Sequence, residues 1–173
     1  LDAVLALKHQ HGFTHQDVRK VRIATYKGGL DIVDNPRPEG DYQAKFSIQY
    51  TVAHALVHGS VRLNAFGPDR LGDPELRALM QRIECVADAE LSKAFPRQRA
   101  ARVEIELADG RQLAHFQPTR KGDPEMPLTD AELNDKFLEL ATPVLGDAKA
   151  RALLARLWTL ESEKNVEFEL GER

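Results

Sequence analysis

The 173 residues predict an α+β fold, a mainly antiparallel sheet with helices packed on one face. Two observations carry that prediction. Residues 102–107 alternate strictly between charged and apolar side chains, run into Asp109-Gly110, and are followed by a second strand-like stretch at 111–117. This is the pattern of an antiparallel hairpin with one buried face. Elsewhere apolar residues recur at helical spacing, in stretches opened by N-capping chemistry at Asp73 and Thr129. No segment repeats another, and the length suits a single domain, residues 1–173, with roughly 70% of the unfolded chain's surface buried on folding.

Taken in order, the chain opens inside an apolar helical pattern, Leu1, Val4, Leu5 and Leu7, without Met or capping residue, as if cut into the first turns of a helix. From Val18 to Tyr26, Val21 and Ile23 share one face and Lys20 and Arg22 the other, the reading of a half-buried strand. Gly28-Gly29 and Asn35-Pro36-Arg37-Pro38 then mark an irregular connection. Between Asp41 and His58, Phe46, Tyr50, Ala53 and Val57 fall at helical spacing, and Ile48, Val52, Ala55 and Leu56 widen the apolar face. Such a helix belongs at the centre of the fold, with Gly59 as its stop.

Asp73-Pro74-Glu75 supplies an N-cap, an N1 proline and an acidic first turn for a helix whose buried stripe is Leu76, Leu79, Met80 and Ile83. Glu84, Asp88 and Glu90 then alternate on a strand-like stretch. In the hairpin, Asp109-Gly110 suits a type I′ turn with positive φ at both central residues. Thr129-Asp130-Ala131-Glu132 is a capping box for a helix carrying Leu133, Phe137, Leu140 and Ala141. A last helix follows Asp147, and its Leu154, Leu157 and Trp158 form an apolar patch suited to a partner surface.

Composition narrows the function classes. With 42% hydrophobic and 29% charged residues, and no apolar run near the ~18 of a membrane span, the chain reads as soluble and cytoplasmic, with no membrane role. A net charge of −3 gives no reason to expect nucleic acid. The lone Cys85 reads as a small buried hydrophobe rather than a nucleophile. No nucleophile elbow, phosphate-binding loop or dinucleotide fingerprint is present in the sequence.

His54 and His58 stand at i and i+4, a spacing that lets two imidazoles meet one metal, but Ala55 replaces the Glu of the zincin pattern. They read as structural or surface histidines, and no metal or organic cofactor is expected. Glu104 and Glu106 read as a solvated face. Lys45, Ser47 and Tyr50 bring a cation, a hydroxyl and a phenol within two helical turns, which could bind a carboxylate and assist proton transfer. Arg120 and Lys121 could meet an anionic substrate, although two exposed charges is the plainer reading.

Residues 43–59, QAKFSIQYTVAHALVHG, and residues 119–141, TRKGDPEMPLTDAELNDKFLELA, resemble successive motifs of the C-terminal domain of the MmgE/PrpD family. The resemblance implies a cofactor-independent lyase or isomerase acting on small di- or tricarboxylates, homodimeric when intact. It also implies a helical N-terminal domain and a Lys/His motif upstream of Leu1, so that this chain is a lid-like wall of a site formed between two domains and inactive alone. Under it, Lys45 becomes a carboxylate anchor, Tyr50 a catalytic phenol, Ser47 a supporting hydroxyl, and Arg120 and Lys121 substrate-binding cations. Tyr50→Phe is then expected to lower turnover with little change in melting temperature. The alternative is a standalone α+β ligand-binding or interaction module without catalysis.

Overall fold

The structure is a computed structural model that describes residues 1–166. The described chain divides into two compact units, Leu1–Asp123 and the residues from Pro124 onward. In chain order the first holds α1 (Asp2–His11), β1 (Val18–Thr25), α2 (Lys27–Val33), α3 (Gly40–Lys45), α4 (Ile48–His58), α5 (Pro68–Leu71), α6 (Pro74–Met80), β2 (Ile83–Ala87), α7 (Ala89–Ala94), β3 (Ala101–Leu107) and β4 (Gln112–Gln117). The second holds α8 (Asp130–Leu145) and α9 (Asp147–Leu157).

The strands lie in the order β2-β1-β3-β4, with β1 parallel to β2 and antiparallel to β3, and β3 antiparallel to β4. Register follows from the alternation. Val21 pairs with Ile105 and Ile23 with Val103 on the inner face, and these residues join Leu113 and Ile83 in a continuous core. The α+β reading of the sequence holds. On the outer face the same alternation presents charge, Arg22 pairing with Glu104 at 3.3 Å and Lys20 with Glu84 at 2.7 Å, and at the register shift between Val18 and Lys20 Arg19 pairs with Glu106 at 2.9 Å.

Helix α4 lies at the centre, as its broad apolar circumference predicts, with Tyr50, Val52, Ala53, His54, Ala55 and Leu56 all buried. It packs against α6 and α1, and Lys8 of α1 donates to the Leu56 carbonyl in its last turn. The helix expected to run continuously from Asp41 to His58 is instead two helices. Ser47 takes an extended conformation and its hydroxyl accepts from the Tyr50 N–H, so a capping residue restarts the helix inside an unbroken apolar pattern. Phe46, in the break, is exposed and lies against Tyr42 rather than in the core.

Three other local expectations are corrected. Gly28 and Gly29 lie within α2, whose first N–H is taken up by the Ser92 hydroxyl, so tertiary capping outweighs low glycine propensity there. Ile83 belongs to β2, and Asp88 caps α7 through the N–H groups of Glu90 and Leu91, which takes Asp88 and Glu90 off the strand. In the hairpin, Gly110 has φ 90° but no non-glycine residue has positive φ, so the turn is not type I′. Gly110 N–H donates to Leu107, and Leu107 N–H to Arg111, across a three-residue connection in which only the glycine is left-handed. The Asp109 carboxylate stays in an ordinary conformation and accepts from the Arg111 N–H.

The second unit begins with the capping box read from the sequence: the Thr129 hydroxyl accepts from Glu132 N–H and the Glu132 carboxylate accepts from Thr129 N–H. Gly146, at φ 78°, turns the chain from α8 into α9. Trp158 Nε1 donates to Asn134 Oδ1 at 2.6 Å, tying the end of one helix to the start of the other. Among its described residues only Ala150 is buried, and Leu157 and Trp158 are exposed together with Leu133, Leu140 and Val144, while Leu154 is half-buried. No helix among the described residues is long and apolar enough to cross a membrane.

Candidate functional site

At one end of the sheet, on its inner face, the first turns of α1 and α4 meet the strand ends around a cleft of about 140 Å³. Its apolar floor is Ala3, Val4, Ile23, Ile48, Val52 and Val103. Its polar groups are Thr25, Thr51, Gln117 and Thr119, with Asp2, Arg99 and Arg120 at its edges. Complete small-ligand pockets usually run roughly 300–1,000 Å³, so a cleft of this size holds one arm of a ligand rather than a whole one.

Most of the polar lining is already engaged. Thr25 Oγ1 donates to Ala100 O at 2.8 Å, which pins the backbone just before β3. Thr51 Oγ1 donates back to Ser47 O at 2.9 Å, and Gln117 Nε2 donates to Thr119 O at 2.8 Å. Asp2 accepts from the Lys121 N–H at 2.8 Å. The Arg120 guanidinium grips Asp123 with two bonds, 2.6 Å and 3.1 Å, and those bonds hold the Asp123 carboxyl below the usual carboxylate range. Arg99 is exposed at the rim; among the described residues it carries no ion pair, and its guanidinium lies 5.7 Å from the Phe95 ring.

The residues singled out in the sequence do not converge on this cleft. Lys45 pairs with Asp41 at 3.0 Å and sits 5.8 Å from the Phe66 ring. Ser47 is buried, caps α4, and donates to Asn35 O at 2.6 Å. Tyr50 is fully buried, and its hydroxyl donates to Ala65 O at 2.6 Å, with burial holding the phenol above its ordinary pKa. Arg120 alone of the five lines the cleft; Lys121 is its chain neighbour, held by its backbone. Arg99 escaped the sequence reading, although it stands in the acid-free run of residues 91–103, LSKAFPRQRAARV.

The remaining candidates have structural surroundings. Nδ1 of buried His54 lies 2.7 Å from Ser60 O, and its ring faces that of His58 at 4.5 Å. Burial and that neighbour hold His58 below the ordinary imidazole range. Among the described residues no three His, Cys, Asp or Glu side chains gather as metal ligands. Cys85 packs against the core with Gln49 Nε2 at 3.5 Å, and burial pushes its thiol up to about 12.

What the arrangement can do is receive an anion. The cleft begins at the N-terminus of α4, where the helix dipole is positive, and its rim carries two guanidinium groups, one of them paired with Asp123, and the Asp2 carboxylate around an apolar floor. The model of the MmgE/PrpD C-terminal domain matches residues 1–160. The chain is 28% identical over 158 residues to the 2-methylcitrate dehydratase, mitochondrial, of Yarrowia lipolytica, which covers 88% of this chain and 28% of that protein. It is 24% identical over 140 residues to the cis-aconitate decarboxylase of Mus musculus, covering 81% of this chain and 28% of that one. A probable 2-methylcitrate dehydratase of Saccharomyces cerevisiae is 28% identical over 109 residues, 60% of this chain and 21% of its own length. The matches thus span between 21% and 28% of the length of these relatives, which are dehydratases and decarboxylases by name.

Proposed function

The chain belongs to the MmgE/PrpD family as its C-terminal domain, and we propose that it forms one wall of the active site of a lyase acting on small di- or tricarboxylates. The observation that carries the reading is the small cleft at the sheet end, apolar in its floor, with Arg99 at its rim making no ion pair among the described residues. Dehydration of a hydroxy acid removes a proton from the carbon beside a carboxylate, breaks the neighbouring C–O bond and protonates the departing hydroxyl as water; decarboxylation leaves electrons on a similar carbon. Both build negative charge next to a carboxylate, and fixed guanidinium groups and a helix N-terminus stabilise it.

In this reading Arg99 binds substrate carboxylate first, with Arg120, already paired to Asp123, and Lys121 beside it, and the acid and base come from a helical N-terminal domain of the same protein. The whole enzyme is a cytoplasmic homodimer that needs no metal or organic cofactor, and the isolated chain does not turn over. Lys45, Ser47 and Tyr50 serve by fixing α3 and α4, since their polar atoms have partners inside this unit.

The test is to incubate the full-length protein, and separately this chain, with 2-methylcitrate, citrate, cis-aconitate and iminodisuccinate in deuterated water with chelator, and to follow them by NMR. Deuterium incorporation or product from the full-length protein alone is the expected result. Turnover abolished by the chelator removes the cofactor-independent part, and carboxylate binding by the isolated chain with no turnover by either protein supports instead a binding module without catalysis.

A further inference from the structure

We infer that Arg99 is the principal carboxylate anchor of the cleft and that Phe95, Tyr26 and Gly29 are positioning residues that hold its guanidinium there, an inference that rests on the function just proposed. The two rim arginines are not equivalent. Arg120 has both arms of its fork on Asp123, so a substrate carboxylate would have to displace a bidentate partner to use it. Arg99 has its donors to offer, because among the described residues it makes no ion pair, and Asp123, close enough to feel its charge, has both oxygens on Arg120.

A free arginine is a poor anchor unless its side chain is already ordered, because fixing its rotamers costs entropy on binding. Here a stack orders it. The guanidinium carbon lies 5.7 Å from the Phe95 ring centroid, within cation–π range. Phe95 in turn stacks on Tyr26, with centroids 4.8 Å apart and planes 12° from parallel. Tyr26 lies against Gly29 so closely that a Cβ there would come within 2.8 Å of Cε2 and 2.9 Å of Cζ. Glycine at this position therefore fixes how low the tyrosine ring sits.

The backbone carrying the stack is pinned on both sides. Lys27 N–H donates to Ser92 Oγ, Asp88 N–H to Thr25 O, and Thr25 Oγ1 to Ala100 O, which ties the end of β1 and the start of α2 to α7, to its N-cap and to the residue before β3. Phe95 is exposed and stands outside the buried core cluster. The ligand class follows from the donors: a planar guanidinium at the mouth of a cleft too small for a whole tricarboxylate takes one carboxylate arm of a small polycarboxylic acid.

The experiment compares Arg99→Gln, Phe95→Leu, Phe95→Tyr and Gly29→Ala in the full-length protein, reading kcat, KM and equilibrium binding with 2-methylcitrate and with cis-aconitate, and the Arg99 Nε NMR signal. Expected are a KM raised about tenfold or more by Arg99→Gln, about three- to tenfold by Phe95→Leu and Gly29→Ala, and restored toward wild type in Phe95→Tyr, with kcat changed less than KM. The ring-current displacement of the Arg99 signal is expected to vanish in Phe95→Leu and persist in Phe95→Tyr. An unchanged KM in Arg99→Gln overturns the anchor, and an unmoved Arg99 signal in Phe95→Leu overturns the stack. Failure of the function proposed above is distinguishable, because wild type then binds no acid while the Arg99 signal still reports the stack.

Discussion

The two faces of the sheet hold similar side chains in opposite circumstances. On the outer face Arg22, Lys20 and Arg19 each meet a glutamate of a neighbouring strand, so the charges satisfy one another. At the open end of the inner face Arg99 lies against an aromatic ring and makes no ion pair among the described residues, while Asp123, close enough to feel its charge, is bonded to Arg120. Charge alone therefore does not mark a site. A cation held in place without a counter-ion is available for a ligand, whereas a paired cation in open solvent contributes little to either binding or stability.

The comparison can be broken first at the inner face itself. Ile105→Ala, at a fully buried position between Val21 and Leu113, is expected to destabilise the protein by about 2–5 kcal/mol, read from denaturation of the full-length protein. A loss below about 1 kcal/mol would mean that this face is not the packed core. Tyr50→Phe comes next. Because it orphans the buried Ala65 carbonyl, it is expected to cost about 1–3 kcal/mol and to lower the melting temperature. That differs from the sequence-based expectation of lost turnover with an unmoved melting temperature, and the pair of readouts decides between packing and catalysis.

On the outer face Glu104→Gln is expected to change stability by less than about 1 kcal/mol, since both partners of its ion pair are partly in water. A larger loss would show that the outer pairs hold the sheet together. The smallest effect near neutral pH concerns Cys85. Its folded thiol is pushed up to about 12 from an ordinary 9.0, so the neutral form is favoured by folding. That contribution is fully present below pH 9 and is lost as pH rises toward 12, because the unfolded thiol ionises first. Cys85→Ala should flatten the alkaline fall in stability, and wild-type Cys85 should react slowly with alkylating reagents in the native protein at pH 8.

Much of the fold is legible in the sequence where the signal is local. The alternation at residues 102–107, the proline and aspartate that open α6 and the Thr129–Glu132 box each act within a few residues, and each element is found in place. The break at Ser47 is hidden because the apolar spacing of residues 46–57 continues through it, although the hydroxyl that makes it was in view. Helix α2 is hidden by two glycines whose cost is met from Ser92, far along the chain. The cleft is the least legible part. Its walls come from α1, β1, α4, β3 and the segment after β4, and no spacing in the sequence brings Arg99 beside Thr25 and Gln117. Residues chosen for sharing one helix, Lys45, Ser47 and Tyr50, turn out to have separate partners.

The most direct measurement sets one arginine from each face side by side, as Arg99→Gln and Arg22→Gln in the full-length protein, with KM determined for the same tricarboxylate. Loss of the unpaired cation is predicted to raise KM about tenfold or more, while loss of the paired one leaves it within about twofold. Equal effects from the two substitutions, or none from Arg99→Gln, would contradict the assignment of the cleft as the carboxylate-binding wall.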